Sequence, residues 1–300
     1  MTQPDLTISI VSFNTKDLLR DCLASIYKNS KGITFEGVVI DNGSSDGSAE
    51  MVAGEFPRIR LIKNRKNLFL TKAQNQAMHG ARGRYFLILN SDTRILHGTL
   101  KTVVEFLNQH PKVGALGVKH LYPNGKIEQT CQRFTTPLIE FLDSNLLTNL
   151  IWRAWKKPQV LERIHYSNWD RTSSRYVQAV SDACLFAPTN LLRRIGYYDE
   201  RFLLFFTEND LCLRIRKLGY SCYHLANASI THTRAQSLAH FKPHRTYRFY
   251  EQDMLKFYLK YFGRFWWLFL YLNSRLNRIY YLIEPALSGI RKFKDRYGKT

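Results

Sequence analysis

Apolar positions in the first 120 residues follow two alternating patterns. Short, β-branched, nearly unbroken apolar runs occur at 6–12 (LTISIVS), 37–41 (GVVID), 58–62 (RIRLI), 85–90 (YFLILN) and 113–118 (VGALGV). Between them lie segments of helical period at 16–29, 47–56, 71–81 and 98–110. Strands that read as continuous apolar runs are buried on both faces. The alternation therefore predicts an α/β fold, a mostly parallel sheet flanked by helices. In such sheets ligands bind beyond the carboxyl ends of the strands. Those ends carry Ser12-Phe13-Asn14, Asp41-Asn42-Gly43 and Asn90-Ser91-Asp92, three polar clusters expected on one edge.

Residues 121–175 are less regular, punctuated by Pro123, Gly125, Pro137 and Pro158. Within them IWRAWKKP (151–158) reads either as a loop over a substrate or as a packed excursion. Regularity returns with YVQAVSDACLFAP (176–188), a short helix ended by Gly196, a helix over 208–220, and two short strands, SCYHLA and ASITHT. From residue 243 a long amphipathic helix is predicted, followed by a second helical segment with eight consecutive apolar residues at 265–272. Crossing a bilayer takes roughly twenty. Aromatics flanked by arginines suit a helix lying in the headgroup region, the alternative being a helix docked on the core. The chain thus divides into a main domain over 1–240 and a basic, aromatic helical extension over 241–300, a C-terminal amphipathic addition to the sheet.

Charge sharpens the picture of the extension. The chain carries a net +20, and residues 242–300 hold thirteen Lys/Arg against four Asp/Glu. Aromatics interleave these cations, and no ribonucleoprotein aromatic pattern, GXXG clamp or zinc finger is present. An anionic membrane surface is expected as partner, and nucleic acid is not. The five cysteines are scattered through apolar segments without a C-x-x-C pair, as in a reducing compartment. The start, MTQPDLTISIVSFN, lacks the basic-then-apolar order of a secretory signal. A cytoplasmic protein, peripheral on the inner face of the cytoplasmic membrane, is the expectation.

Candidate chemistry lies at the strand ends. Asp41 opens a turn-rich DNGSSDGS and reads either as an Asx turn or as an acceptor for a nucleotide base N–H. Asp92 could hold a divalent cation, Mg²⁺ or Mn²⁺, which prefers carboxylates and phosphate oxygens and stabilises a departing diphosphate. Asn90, in place of a first acid, would bond to ribose or position Asp92. His232 could add an imidazole to the same metal, although a lone histidine is commonly structural. In FLLFFTENDLCLRIR, Glu208 and Asp210 are catalytic candidates at a helix start, one of them serving as general base. Asp210 and Arg214 stand four apart and could pair, which favours Glu208.

The ordered motifs SIVSFNTKDLLRDCLASI, VVIDNGSSDGS, LILNSDT, GYYDERFLLFFTENDLCLRIRKLGY and ASITHTRAQS resemble the family-2 inverting glycosyltransferases of GT-A fold, in particular the rhamnosyltransferase-like branch of bacterial polysaccharide biosynthesis. The resemblance covers residues 6–240. It implies transfer of a sugar from a nucleotide-diphosphate donor, dTDP- or UDP-linked and dTDP-rhamnose among the options, to a glycan or lipid-linked saccharide acceptor. It further implies Ser12, Asn14 and Asp41 in the nucleotide pocket, with Asn67, Asn75, Asn90 and Ser91 also on the donor side. Asp92 and His232 would lie at the metal, and Glu208 would be the base. Three departures stand out. Thr207 occupies the position of the motif's first acid, and a shifted register would place Asn209 at the base. Glu208 is one methylene longer than aspartate. Phe69 and Ala77 replace two expected glycines. A second reading, a catalytically impaired nucleotide-sugar or polysaccharide binder at the membrane, follows from Thr207 and Asn209.

Overall fold

The computed structural model describes residues 3–145, 148, 159–233 and 241–287. The tract 151–158 and the tail beyond 287 lie outside the described residues. β1 (Leu6–Ser12), β2 (Phe35–Asp41), β3 (Arg60–Lys63) and β4 (Tyr85–Asn90) pair in parallel in the order β3-β2-β1-β4, as the alternation predicts. Between them run α1 (Lys16–Asn29), α2 (Ser48–Glu55) and α3 (Phe69–His79). β5 (Thr93–Ile95), α4 (Thr99–Gln109), β6 (Val113–Leu121), α5 (Pro137–Ser144), α6 (Gln159–Ile164) and β7 (Arg175–Val177) follow. After them come β8 (Cys184–Pro188), α7 (Thr189–Ile195), α8 (Thr207–Lys217) and β9 (Ser221–His232). The sheet continues past β4 through β8, β6, β9 and β5, with β7 also on β9; β8 is antiparallel to both its neighbours.

Side chains alternate across each strand, so the sheet buries two faces. Ile8, Ile10, Val39, Leu87 and Leu89 pack with Leu19, Leu23 and Ile26 of α1 and Leu100 and Val103 of α4. Val38, Ile40, Phe86 and Ile88 face Ala73 and Ala77 of α3, Leu191 of α7 and Leu211 of α8. Ala77, at a position where glycine is expected, is fully buried in this second layer. The two short strands predicted over 221–232 are one strand. Asn227 between them makes no turn; the chain instead shifts register against β6 between Val118 and Lys119, leaving Asn227 exposed.

The extension is built into the molecule. α9 (Pro243–Phe262) and α10 (Arg264–Leu287) pack together, and Met254, Phe257, Tyr258 and Leu270 join Phe202 and Phe206 in a third cluster. Asp253, fully buried, accepts the backbone N–H groups of Leu203, Leu204 and Phe205 at 2.8, 2.9 and 3.1 Å through one oxygen. α10 buries Leu270, Asn273 and Asn277, with Asn277 Nδ2 donating to the Ser144 carbonyl of α5 at 2.8 Å. Its other face is open: Phe265, Leu268, Leu272 and Leu276 are 73, 50, 56 and 64% exposed. The helix is thus docked along one side and apolar on its free side. Among the described residues no helix is long and apolar enough to cross a membrane.

Asp253→Ala would leave three N–H groups facing a low-dielectric interior without an acceptor. A loss of roughly 2–4 kcal/mol is expected in urea unfolding, whereas Asp17→Ala, at an 88% exposed side chain, should leave the midpoint unchanged.

Candidate functional site

Because β1, β2 and β4 are parallel and in register, Ser12 lies beside Asp41, and Val11 beside Asn90. The expected polar edge is therefore real. The Thr15 hydroxyl sits 2.9 Å from both Ser12 Oγ and Ser91 Oγ, joining two strand ends through a buried line of hydroxyls. Asn14 takes a left-handed φ of 52°; its N–H donates to Ser44 Oγ at 3.0 Å and its Oδ1 accepts from Ser45 N at 2.8 Å. That fastens the turn after β2 over the end of β1. Gly43, at φ 82°, lets this turn pass Lys66, whose backbone would meet an added Cβ at 2.9 Å. Asp41 is 4% exposed; one oxygen accepts from Ser44 N at 3.2 Å and the other is buried with no hydrogen-bond partner among the described residues. An orphaned carboxylate oxygen is an unfilled acceptor, and a base N–H fits it. The half-buried Asn90 side chain stands at the neighbouring strand end.

The metal candidates meet through strand pairing. β5 is antiparallel to β9 with Thr93 opposite His232, and Thr233 N donates to the Asp92 carbonyl at 2.9 Å. Asp92 Oδ1 comes to lie 3.4 Å from His232 Nε2, both side chains buried. Two ligand atoms roughly 2.1 Å from one ion and at right angles stand about 3 Å apart, close to this separation. Nε2 is buried, and among the described residues Asp92 Oδ1 is the group it faces, beyond close hydrogen-bond distance. Behind it, Nδ1 is 2.9 Å from Glu128 Oε2, which also lies 3.3 Å from His120 Nδ1. A carboxylate on Nδ1 fixes the ring orientation that aims Nε2 at Asp92, the arrangement seen behind metal-bound histidines. His120, Glu128 and His232 place their ligating atoms within 4.8 Å of one another, but both imidazoles point Nδ1 at the same Glu128 oxygen. They read as support for the Asp92–His232 pair. Burial alone would depress His232; the Asp92 and Glu128 carboxylates outweigh it and lift the imidazole to about 9. Burial opposes charge on Glu128 too, and the hydrogen bonds from both histidines override it, holding the carboxyl well below the usual range.

The acidic turn opens α8. Phe206 precedes the helix at a left-handed φ of 59°, turning Thr207 and Glu208 inward. Thr207 Oγ1 donates to Asp182 Oδ2 at 2.7 Å and lies 3.2 Å from Glu208 Oε2. The acid missing at position 207 is thus supplied in space by Asp182, on the turn before β8. Gln132 Nε2 donates to Glu208 Oε1 at 3.1 Å and to Asn209 Oδ1 at 2.6 Å. Burial, and after it the Asp182 carboxylate, push Glu208 up to about 8; burial raises Asp182 as well. A carboxyl with a raised pKa can take and return a proton near neutral pH.

Three expected residues have other duties. Asp210 is fully buried; Arg214 Nε and Tyr261 OH both reach it at 2.7 Å, and Lys260 pairs with it. A carboxylate so enclosed ties α8 to α9, which corrects its candidacy as the general base and agrees with the Arg214 pairing that favoured Glu208. Asn75 Nδ2 donates to the Tyr198 carbonyl at 3.0 Å and to Glu200 Oε1 at 3.1 Å, and its Oδ1 accepts from Tyr198 N at 3.0 Å, a buried staple between α3 and the turn after α7. Asn67 Oδ1 accepts from Asn42 Nδ2 at 2.9 Å and Phe69 N at 2.8 Å, shaping the loop before α3. Phe69 itself adopts φ 62°, the left-handed value a glycine would take freely. Sequence reasoning missed Thr15, His120, Glu128, Gln132 and Asp182. For Glu128 a signal existed: Pro123-Asn124-Gly125 makes the turn, Gly125 at φ 80°, that folds Ile127 back on Leu121.

Residues 7–160 match the family described as glycosyl transferase family 2. The N-acetylglucosaminyl-diphospho-decaprenol L-rhamnosyltransferase of Mycobacterium tuberculosis is 23% identical over 211 residues, 67% of each chain. The O-antigen biosynthesis protein RfbC of Myxococcus xanthus is 23% identical over 236 residues, 78% of this chain and 18% of that one. Among solved structures, the mannosyltransferase PcManGT of Pyrobaculum calidifontis, in complex with GDP-Man and Mn²⁺, superposes with a TM-score of 0.56 at 18% identity, over 87% of this chain and 64% of that one. The last likeness speaks to the fold alone. The family match spans just over half of the sequence, so the chain belongs to glycosyl transferase family 2 and is a glycosyltransferase.

Proposed function

We propose that the protein is a metal-dependent inverting transferase that moves a sugar from a uridine or thymidine diphosphate donor to a hydroxyl of a lipid-linked saccharide at an anionic membrane surface. The observation that carries this reading is the buried pair of His232 Nε2 and Asp92 Oδ1, 3.4 Å apart, with Glu128 holding the imidazole from behind. Asp92 and His232 would hold the cation, which when bound supplies positive charge against the departing diphosphate. Asp41 contributes an open acceptor to the base, and uracil and thymine both present an N3–H to it. The M. tuberculosis relative is named for rhamnosyl transfer to a diphosphate-linked lipid sugar, and the exposed apolar face of α10 suits such an acceptor's surroundings. That chemistry makes thymidine-diphospho-rhamnose the first donor to try.

Glu208 would take the proton of the acceptor hydroxyl as its oxygen attacks C1 from the side opposite the diphosphate, inverting the anomeric carbon. Gln132 holds one Glu208 oxygen and Thr207 the other, so the carboxylate is oriented before an acceptor arrives. Glu208 also stands where the resemblance expects a shorter aspartate. Asp210 acts as a positioning residue, fixing the helix that presents Glu208.

Three outcomes follow. Glu208→Gln should retain nucleotide-sugar binding in a thermal shift yet lose transfer by a factor of roughly 10²–10⁴; unchanged turnover would remove Glu208 from the base role. The base must be ionised, and its pKa lies above the ordinary value. At saturating Mn²⁺, kcat should therefore fall as pH drops through about 8 and level off above it. Glu128→Gln should weaken Mn²⁺ binding about 10–100-fold by calorimetry. A proton on His232 occupies the atom the metal needs, so wild-type affinity should rise with pH up to about 9. In His232→Gln that slope should vanish.

A further inference from the structure

Away from the strand ends, α9 and α10 enclose a cleft of about 450 Å³. Arg245, Arg248, Arg275 and Arg278 line it, with Glu251 as the carboxylate among them and Phe249 at one wall. Glu251 is 2% exposed and pairs with Arg278. Arg275 lies over the Tyr271 ring at 4.4 Å, and its Nε is buried with no hydrogen-bond partner among the described residues. Arg245 and Arg248 are exposed. Four guanidiniums therefore line one cavity with one carboxylate, whose Oε2 is engaged by Arg278 and whose Oε1 has no hydrogen-bond partner among the described residues. Like charges gathered this way repel, and an anion offering several oxygens relieves the repulsion while satisfying the planar donors. A phosphate group has that shape and charge.

The same helix says where the phosphate comes from. Phe265, Leu268, Leu272 and Leu276 recur every three or four residues, forming one exposed stripe on α10. Arg275 immediately precedes Leu276 and so flanks that stripe. A helix with an apolar face toward acyl chains carries its flanking arginines at the level of the headgroups. We propose that the α9–α10 cleft binds the phosphate of an anionic lipid headgroup, seated there while the α10 stripe enters the acyl boundary. The inference rests on the membrane-facing part of the proposed function and is independent of the transfer chemistry.

The test uses the full chain and sedimentation with vesicles of phosphatidylcholine, with and without phosphatidylglycerol. Wild type should prefer the anionic vesicles, and Arg245→Gln with Arg248→Gln should weaken that preference by roughly fivefold per arginine. Lys31→Gln with Arg58→Gln, exposed cations at the amino edge of the sheet, should change it little; an equal loss there would reduce the effect to net charge and overturn the site. Leu268→Gln with Leu272→Gln should lose binding to both vesicle types. Inorganic pyrophosphate, titrated without vesicles or metal, separates the sources. Tight binding of it, abolished by the arginine changes and joined by no preference for anionic vesicles, would assign the cleft to a soluble phosphate and overturn the lipid assignment. The arginine variants should keep the nucleotide-sugar thermal shift, so a failure of the donor reading and a failure of this one remain distinct.

Discussion

A buried carboxylate beside a buried imidazole has few stable solutions: a shared proton, a metal, or a shift to the neutral forms. The pairing of β5 with β9 forces this choice on the molecule. Thr93 opposite His232 leaves the residue before β5 and the last residue of β9 with nowhere to go except toward each other. Glu128 then adds a second carboxylate from behind. Without a metal, the imidazolium between two acids is the neutralising species, which is why the proton is held so firmly. A divalent cation offers the same compensation with more charge. In the proposed reading a proton and a divalent cation are therefore alternative occupants, exchanged by pH and metal supply.

Local pattern made the sheet legible, because β1, β2 and β4 are continuous apolar runs ending in oxygen-bearing side chains. It also placed Ser12, Asp41, Asn90 and Asp92 on one edge, since parallel neighbours end together. What it could not give was the company each residue keeps across the chain. Glu128 reaches His232 from 104 positions away, and Asp182 reaches Thr207 from 25 positions away. No periodicity encodes such meetings. The break expected within 221–232 failed for a related reason: a small-residue segment, Ala226-Asn227-Ala228, reads as an interruption but is accommodated by a register shift against β6. Asn75 is expected on the donor side because a buried polar residue looks the same in sequence whether it meets a substrate or a backbone, whereas the Asp210–Arg214 pair is legible from its four-residue spacing.

The acidic turn shows how a motif can lose a residue and keep an arrangement. Thr207 removes a carboxylate, yet its hydroxyl bridges Asp182 and Glu208. Two acids therefore still face one another, with the threonine between them as a hydrogen-bond relay. Gln132 is fixed by paired backbone bonds to Ala179 and braces the same carboxylate from the opposite side. Its second bond, to Asn209, explains why that residue can lack an acid without leaving a buried group unsatisfied. The departures from the family pattern are consequently local substitutions of partners, and the geometry around Glu208 remains closed and polar.

The C-terminal helices complete the picture, since they touch each half of the proposed chemistry. Asp253 and Lys260 of α9 grip the loop and helix that present Glu208. On the donor side an aromatic line runs Phe13, Phe241, Phe249, Phe69, with successive ring centroids 6.1, 5.4 and 5.0 Å apart. Phe13 directly follows Ser12, and Phe69 sits in its left-handed turn within the loop that Asn42 latches. A non-glycine residue held at positive φ carries a strain of order 1–3 kcal/mol unless its surroundings compensate. Contact with Phe249 is the compensation the structure offers. Phe249 also walls the arginine cleft, so one side chain touches Phe69 beside the proposed donor pocket on one side and the proposed anion site on the other. Any shift of α9 on docking at a surface would then be felt at Phe69 first, through direct ring contact.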